Sequence, residues 1–327
     1  MKRLPCASFF VALLLATVFA QAKGPAYTNP NKTDADFPFQ GEYVGTVKAD
    51  DSRTRIGVHV IALGSGKFQA VAYVGGLPGD GWDKETTHKS EGELKDGDVI
   101  FTQGDAKGTL KDNVIAVGSN DVPDFARFER VIRSSPTEGA KAPAGTVVLF
   151  DGTSADAFEK GKMDDNGLLV GGCTSKQNFG SYKMHVEFRL PYQPEDRGQA
   201  RGNSGVYMQG RYEVQVLDSF GLEGKNNECG GLYELRDPDV NMCFPPLVWQ
   251  TYDIDYITAK YDGEKVVAPP RISVRHNGVV IHKDVALPTD RGTRSAPVKP
   301  GPESGPIYLQ DHGNPVRYRN IWLVETK

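Results

Sequence analysis

The sequence predicts an all-β protein, a jelly-roll β-sandwich preceded by a smaller antiparallel β domain. Short apolar runs alternate with turn residues along most of the chain, and 37 glycines and 21 prolines supply the turns. Aromatic residues reach 9% and suit pleated, half-buried surfaces. Nothing between residues 37 and 133 has the spacing of a ten-residue amphipathic helix. A length of 327 residues favours two domains. With 38 Lys plus Arg against 42 Asp plus Glu, the formal net charge is −4, which argues against a basic nucleic-acid surface.

The N-terminus bears on compartment. Lys2 and Arg3 precede an apolar run over residues 9–20, and Ala20-Gln21-Ala22 offers a small-x-small cleavage site. Residues 1–22 therefore read as a signal peptide cut after Ala22, sending the chain to the periplasm, cell envelope or medium. An uncleaved anchor is the alternative, although the run is short for a membrane helix and no second span follows. Cys6 precedes the apolar run, so it is not a lipid-bearing cysteine. Removal of the signal leaves Cys173, Cys229 and Cys243, an odd number that permits at most one internal disulfide. Cys229 and Cys243 bracket one irregular segment and would pair in an oxidising compartment. Three reduced, buried thiols are the competing expectation.

Residues 23–36 are polar and read as a disordered lead-in. Within residues 37–133, runs at 41–47, 56–63, 68–74, 99–102, 114–117 and 125–132 predict strands, with tight turns at 64–66, 95–98 and 111–113. A compact antiparallel sheet or small barrel follows. It carries His59, His88, Asp80, Trp82, Asp83 and a glycine-rich loop at 75–82, yet no catalytic constellation. An accessory role is expected. Residues 134–145 (SSPTEGAKAPAG) read as a linker, and the second domain covers 146–327.

Period-two alternation is clear in that second domain. Met184, Val186, Phe188 and Leu190 share one face of a strand, with His185, Glu187 and Arg189 opposite. Tyr212, Val214 and Val216 oppose Glu213 and Gln215, and Tyr252, Ile254 and Tyr256 oppose Asp253 and Asp255. His276-Asn277-Gly278 is a hairpin turn between 272–274 and 279–281, and strands at 306–310 and 318–324 close the chain. Half-buried strands of this kind suit two antiparallel sheets with one solvated concave face. On the polar faces, Glu187, Glu213, Gln215, Gln310 and His312 stand near Asn203, Tyr207 and Tyr212. Carboxylates and amides hold sugar hydroxyls and aromatic rings stack on sugar rings, so the mixture suits carbohydrate. Plain solvated surface is the competing reading for most of these positions.

Residues 202–219 (GNSGVYMQGRYEVQVLDS), 229–235 (CGGLYEL) and 305–323 (GPIYLQDHGNPVRYRNIWL) resemble the 3-keto-disaccharide hydrolase domain family. The opening Leu149-Phe150-Asp151-Gly152-Thr153 and the His276-Asn277-Gly278-Val279 hairpin fit as well. The resemblance covers nearly all of 146–327 and none of the N-terminal domain. It implies a concanavalin-like jelly roll acting on glycosides whose sugar carries a ketone at C3. A C3 ketone acidifies the C2 proton, so a modest base can remove it while the C1 substituent leaves. Glu213 or His312 would serve as base or acid. Asn203, Gln215, Gln310, Glu187 and Tyr207 would bind substrate, and Arg317 would polarise an oxyanion or stand in a surface salt bridge. His312 equally fits a turn residue.

No cofactor is certain. A divalent metal could bridge the ketone and the C2 hydroxyl, with Glu187, Glu213 and His312 as scattered candidate ligands. Retaining glucanases on similar sandwiches place two carboxylates on one strand. Here Gln215 follows Glu213, and Asp218 has the wrong parity, so that mechanism is not expected. A non-catalytic, lectin-like envelope protein is the alternative function.

Overall fold

The structure is a computed structural model that describes residues 24–49, 52–120, 122 and 124–326. The expected signal peptide, residues 1–22, lies outside the described residues. Strands β1 (Gly41–Ala49), β2 (Ser52–Gly64), β3 (Lys67–Val74), β4 (Thr87–Lys95), β5 (Asp98–Gln103), β6 (Ala106–Lys111), β7 (Val114–Gly118) and β8 (Ala126–Val131) pair in sequence order. β8 returns to β1 and closes an eight-stranded antiparallel barrel. The expected runs appear as strands, and β4 and β6 are additions. Their sequences, THKSEGELK and AKGTLK, hold one large apolar residue each and gave no alternating signal.

The second half is a sandwich. Its strands are β9 (Val147–Phe150), β10 (Phe158–Glu159), β11 (Leu169–Val170), β12 (Cys173–Phe179), β13 (Ser181–Arg189), β14 (Ser204–Met208) and β15 (Tyr212–Val216), then β16 (Trp249–Ile257), β17 (Lys260–Asp262), β18 (Lys265–Ala268), β19 (Arg271–His276), β20 (Val279–Ala286), β21 (Gly305–Leu309) and β22 (Arg317–Thr326). A five-stranded sheet runs β10-β12-β21-β14-β15, and a seven-stranded sheet runs β11-β22-β13-β16-β19-β20 with β9 on β22. Val206, Val214 and Ile307 of the first sheet meet Val186, Ile254 and Leu323 of the second in one buried core. Period-two alternation builds this arrangement, since each strand gives one face to the shared core. Among the described residues no helix is long and apolar enough to cross a membrane.

The polar faces do not form one solvated surface. Glu187 and Asp253 lie on the outer face of the seven-stranded sheet, while Glu213 and Gln215 lie on the outer face of the five-stranded one. Residues 134–145, expected as a free linker, strap the first of these faces. The Gly139 N–H donates to Glu187 Oε1 at 2.6 Å, and Thr137 Oγ1 donates to Asp253 Oδ2 at 2.7 Å. Asn320 and Trp322 donate to the Ala140 carbonyl. A Pro/Ala/Gly/Ser segment lacks side chains to join a core, but its backbone groups still need partners, and polar strand residues supply them.

Beneath the strap His185 lies between Asp253 (2.7 Å) and Glu187 (3.3 Å), stacked on Trp322 with ring centroids 5.1 Å apart. Burial pushes the Glu187 carboxyl up, yet hydrogen bonds from His185, Asn320, Arg319 and Gly139 outweigh it and hold the group down at about 2. The polar lead-in is likewise seated on the fold. Tyr27 exchanges both backbone hydrogen bonds with Tyr192, each 2.9 Å, and Asp34 accepts from the Tyr192 hydroxyl at 3.0 Å. Of the two expectations for the cysteines, the structure has the reduced one: all three described thiols are free and buried, with Cys229 against the Tyr252 hydroxyl and Cys243 against the Leu217 carbonyl.

The barrel docks on the sandwich through β2 and β3. Ile61, Val71 and Tyr73 pack with Phe220, and the His59 ring stacks on Phe220 at 4.3 Å. Alongside, buried Glu42 accepts from Arg133 and contacts His59 at 3.1 Å, and Arg133 lies 5.0 Å over the Phe244 ring.

The strap yields a test. Glu187→Gln removes the buried one of the two carboxylates that each of Arg319 and His185 meets, leaving Glu138 and Asp253, and should cost about 2 kcal/mol at neutral pH. Because the folded carboxyl lies near 2, below its ordinary 4.5, its contribution is present above 4.5 and is lost as pH falls towards 2. The difference in unfolding free energy between wild type and variant, from denaturant melts, should shrink over that window.

Candidate active site

The segment Tyr212-Glu213-Val214-Gln215-Val216 is β15, and its alternation sends Glu213 and Gln215 away from the core. Neighbouring strands add to the same face by register. Tyr207 and Gly205 on β14 lie opposite Glu213 and Gln215, and Tyr308 on β21 lies opposite Tyr207. The Tyr207 and Tyr308 rings are 5.2 Å apart at an angle of 48°.

Glu213 is the centre of this group, and only 2% of it is exposed. Tyr207 donates its hydroxyl to Glu213 Oε2 at 2.6 Å, and Gln310 Nε2 donates to the Tyr207 oxygen at 3.2 Å. Burial disfavours the charged carboxylate and raises Glu213 to about 8, although the Tyr207 hydrogen bond pulls the other way. Burial and the adjacent carboxyl push the Tyr207 phenol far up, so it remains a donor. A carboxyl with no cationic partner in so dry a place can hold or release a proton near neutral pH. Gly205 makes room for it, because a Cβ there would stand 2.1 Å from Glu213 Oε1.

Amides extend the site. Gln199, on the short 3-10 turn Gly198–Ala200, accepts through Oε1 from Asn203 Nδ2 and from Gln215 Nε2, each at 3.1 Å. Asn203 Oδ1 is buried without a protein partner, an unmet acceptor beside Gln199. Beyond β15 the segment 229–235 completes the edge. Gln215 N–H donates to the Gly231 carbonyl at 2.9 Å, and Tyr233 N–H donates to the Glu213 carbonyl at 3.2 Å. A cleft of about 800 Å³ opens there, lined by Tyr233, Glu234, Leu235, Thr293, Arg294 and Val298. Thr293 Oγ1 accepts from the Glu213 N–H at 3.1 Å and links the cleft to the carboxyl's strand. The Pro-rich loop at 294–304, unread in the sequence, frames this cleft in part.

Of the residues singled out in the sequence, Asn203, Tyr207, Glu213, Gln215 and Gln310 are gathered on this face. Glu187 is not, because it lies on the other sheet beneath the 134–145 strap. Arg317 is also absent. It stands on β22 of the seven-stranded sheet and donates to Asp164 at 2.7 Å, the salt bridge that was its alternative reading. His312 is exposed on the turn after β21, two residues past Gln310. Asp218 is turned into a buried pair with Arg201 at 2.6 Å, so no second carboxylate joins Glu213 from that strand's end. Glu187, Glu213 and His312 therefore do not form a metal-ligand set. Among the described residues no group of three or more His, Cys, Asp or Glu side chains is placed to hold a metal ion. Sequence reasoning missed Gln199, Gly205, Tyr308 and Thr293. Gly205 was within reach, since a glycine inside a strand signals close approach of another group, whereas Gln199 and Thr293 arrive on irregular segments without any local pattern.

The buried acid should cost stability. The folded Glu213 carboxyl lies near 8, above its ordinary 4.5, so its neutral form favours folding below 4.5 and that advantage fades as pH rises to 8. Glu213→Gln should therefore gain stability over wild type progressively between pH 4.5 and 8, measured by melts at several pH values.

No curated protein matches the chain. Two solved structures, each of a candidate glycosyl hydrolase from Parabacteroides distasonis, are similar to it. One is 32% identical with a TM-score of 0.52, covering 57% of this chain and 85% of that one. The other is 17% identical with a TM-score of 0.41, covering 56% of this chain and 95% of that one. Residues 145–324, more than half of the chain, match the 3-keto-alpha-glucoside-1,2-lyase-like domain, and the protein belongs to that family.

Proposed function

We propose that this chain is an exported enzyme that breaks the C1 bond of glycosides whose sugar carries a ketone at C3. The observation that carries the reading is the Glu213 carboxyl, buried beside the Tyr207 hydroxyl on a face of amides and aromatic rings. The family to which residues 145–324 belong supports the 3-keto substrate. Export rests on the pattern of Lys2, Arg3 and the apolar run 9–20.

The chemistry asks for proton transfer and little else. The C3 ketone delocalises the charge left when the C2 proton is removed, and the C1–O bond then breaks as its electrons leave with the aglycone oxygen. That oxygen takes up a proton, so the products are an unsaturated keto sugar and an alcohol. Water added across the new double bond gives net hydrolysis. A carboxyl near 8 is matched to this task, because it is populated in both protonation states at working pH. Glu213 is the proton-transfer group in this reading, and Tyr207 donates to its ionised form. Asn203, Gln215 and Gln310 hold hydroxyls, and Tyr308 offers a ring face. His312, exposed two residues past Gln310, is the group assigned to the second proton transfer.

The full chain should release aglycone from a 3-keto-glucoside and leave the unoxidised parent intact, followed by mass spectrometry. Glu213→Gln should lower turnover at least about a hundredfold while substrate still binds, and His312→Ala should lower turnover less. Equal binding of both sugars with no release from either would replace the enzyme reading with a lectin.

A further inference from the structure

The N-terminal barrel is filled at one end only. Its strands run up and down, so the β2–β3, β4–β5 and β6–β7 hairpins gather at one end and the β1–β2, β5–β6 and β7–β8 connections at the other. At the first end Tyr43, Val60, Ala62, Phe68, Val99 and Leu110 are 0–1% exposed. Phe37 and Phe39 pack there with Tyr192 and Leu247 of the second domain and close the floor. Arg130 donates to the Gln40 carbonyl at 2.7 Å and to Asn113 Oδ1 at 3.1 Å, which ties that end together.

Towards the other end the interior is hollow. A cavity of about 350 Å³ is lined by Val58, Ala70, Phe101, Ile115, Phe128 and neighbours. These five side chains keep 4–8% exposure although they point into the barrel. The reason is side-chain size. Ala70, Ala72, Ser90, Ala106, Gly108 and Ala126 line the wall where larger residues would fill a barrel of this strand number. Gly108 shows that the space is not forced by the backbone. A Cβ there would make ordinary contacts at 3.6–3.7 Å with Phe101, Ile115 and Val117, and the residue is not in the left-handed region. The polar groups on the wall, His88, Ser90, Thr102 and Gln103, belong to two adjacent strands, β4 and β5, near the open end.

We infer that the barrel is a binding site for a small amphiphile, a medium-chain alkyl or acyl compound whose chain enters the cavity and whose polar head meets His88, Ser90 and Gln103. The apolar wall and closed floor suit a hydrocarbon chain, since water there lacks partners and leaves it with a gain in free energy. Polar groups confined to one sector near the mouth suit a single head and not a sugar with hydroxyls all round. A cavity of 350 Å³ falls in the range of small-molecule sites. This site lies in residues 41–131 and does not depend on the sugar chemistry proposed for the second domain.

The test is calorimetric titration of the full chain with n-decanol and with decanoate, below their micelle concentrations. One saturable site per chain is expected for at least one of them. Gly108→Leu fills the cavity and should weaken binding at least tenfold while its melting temperature is kept or raised; Ala70→Leu serves if that variant does not fold. Glu213→Gln should bind as wild type. Absence of saturable binding to wild type, or binding unchanged in the folded cavity-filling variant, overturns the inference.

Discussion

A carboxyl taken out of water must be paired or protonated, and the sandwich holds one of each kind on its two outer faces. Glu187 and Glu213 are both almost fully buried, at 0% and 2% exposure. Glu187 receives Arg319, Asn320, His185 and a backbone N–H and is held near 2. Glu213 receives one phenol and is pushed up to about 8. Opposite outcomes follow from the same residue type, facing outward in both sheets. Partners, not burial, separate a structural anchor from a group able to exchange protons at working pH.

Arg319, Asn320, His185 and Tyr207 stand on strands of the two sheets, and the Gly139 N–H alone comes from outside them. The strap at 134–145 seals the seven-stranded sheet and delivers the Gly139 N–H to Glu187. On the opposite face the segment 229–235 and the loop at 290–300 cover β15 and leave a cleft beside it. Gly205 supplies the remaining requirement, a strand position with no Cβ, so that the carboxyl can lie flat against β14. Irregular chain therefore decides which polar face is closed and which can admit a ligand.

The barrel follows the same logic on a different solvent boundary. Its closed end is floored by aromatic residues of both halves, and its outer wall of Ile61, Val71 and Tyr73 rests on Phe220. The buried Glu42–Arg133 pair and His59 fasten the joint. The open end was the part hardest to read. β4 and β6 escaped notice because their inward positions carry Ser90, Gly92, Ala106 and Gly108, small residues that give no apolar alternation. The missing sequence signal and the cavity have one cause.

Alternation at the strands of residues 181–189, 212–216 and 249–257 determined by itself that each of these segments is a strand with one buried face, because a two-residue period sends successive side chains to opposite sides. The same local pattern marked Glu213, Gln215 and Gln310 as outward-facing polar positions on that half, and Asn203 and Tyr207 were singled out for lying near them. It could not tell the two outer faces apart, so Glu187 and Arg317 were grouped with residues on the opposite side of the molecule. Sheet order is a long-range property: β14 sits between β15 and β21, and β13 between β22 and β16, through pairings that no local window contains. Tertiary structure alone decided which carboxyl met an arginine and which met a tyrosine, and with that their protonation.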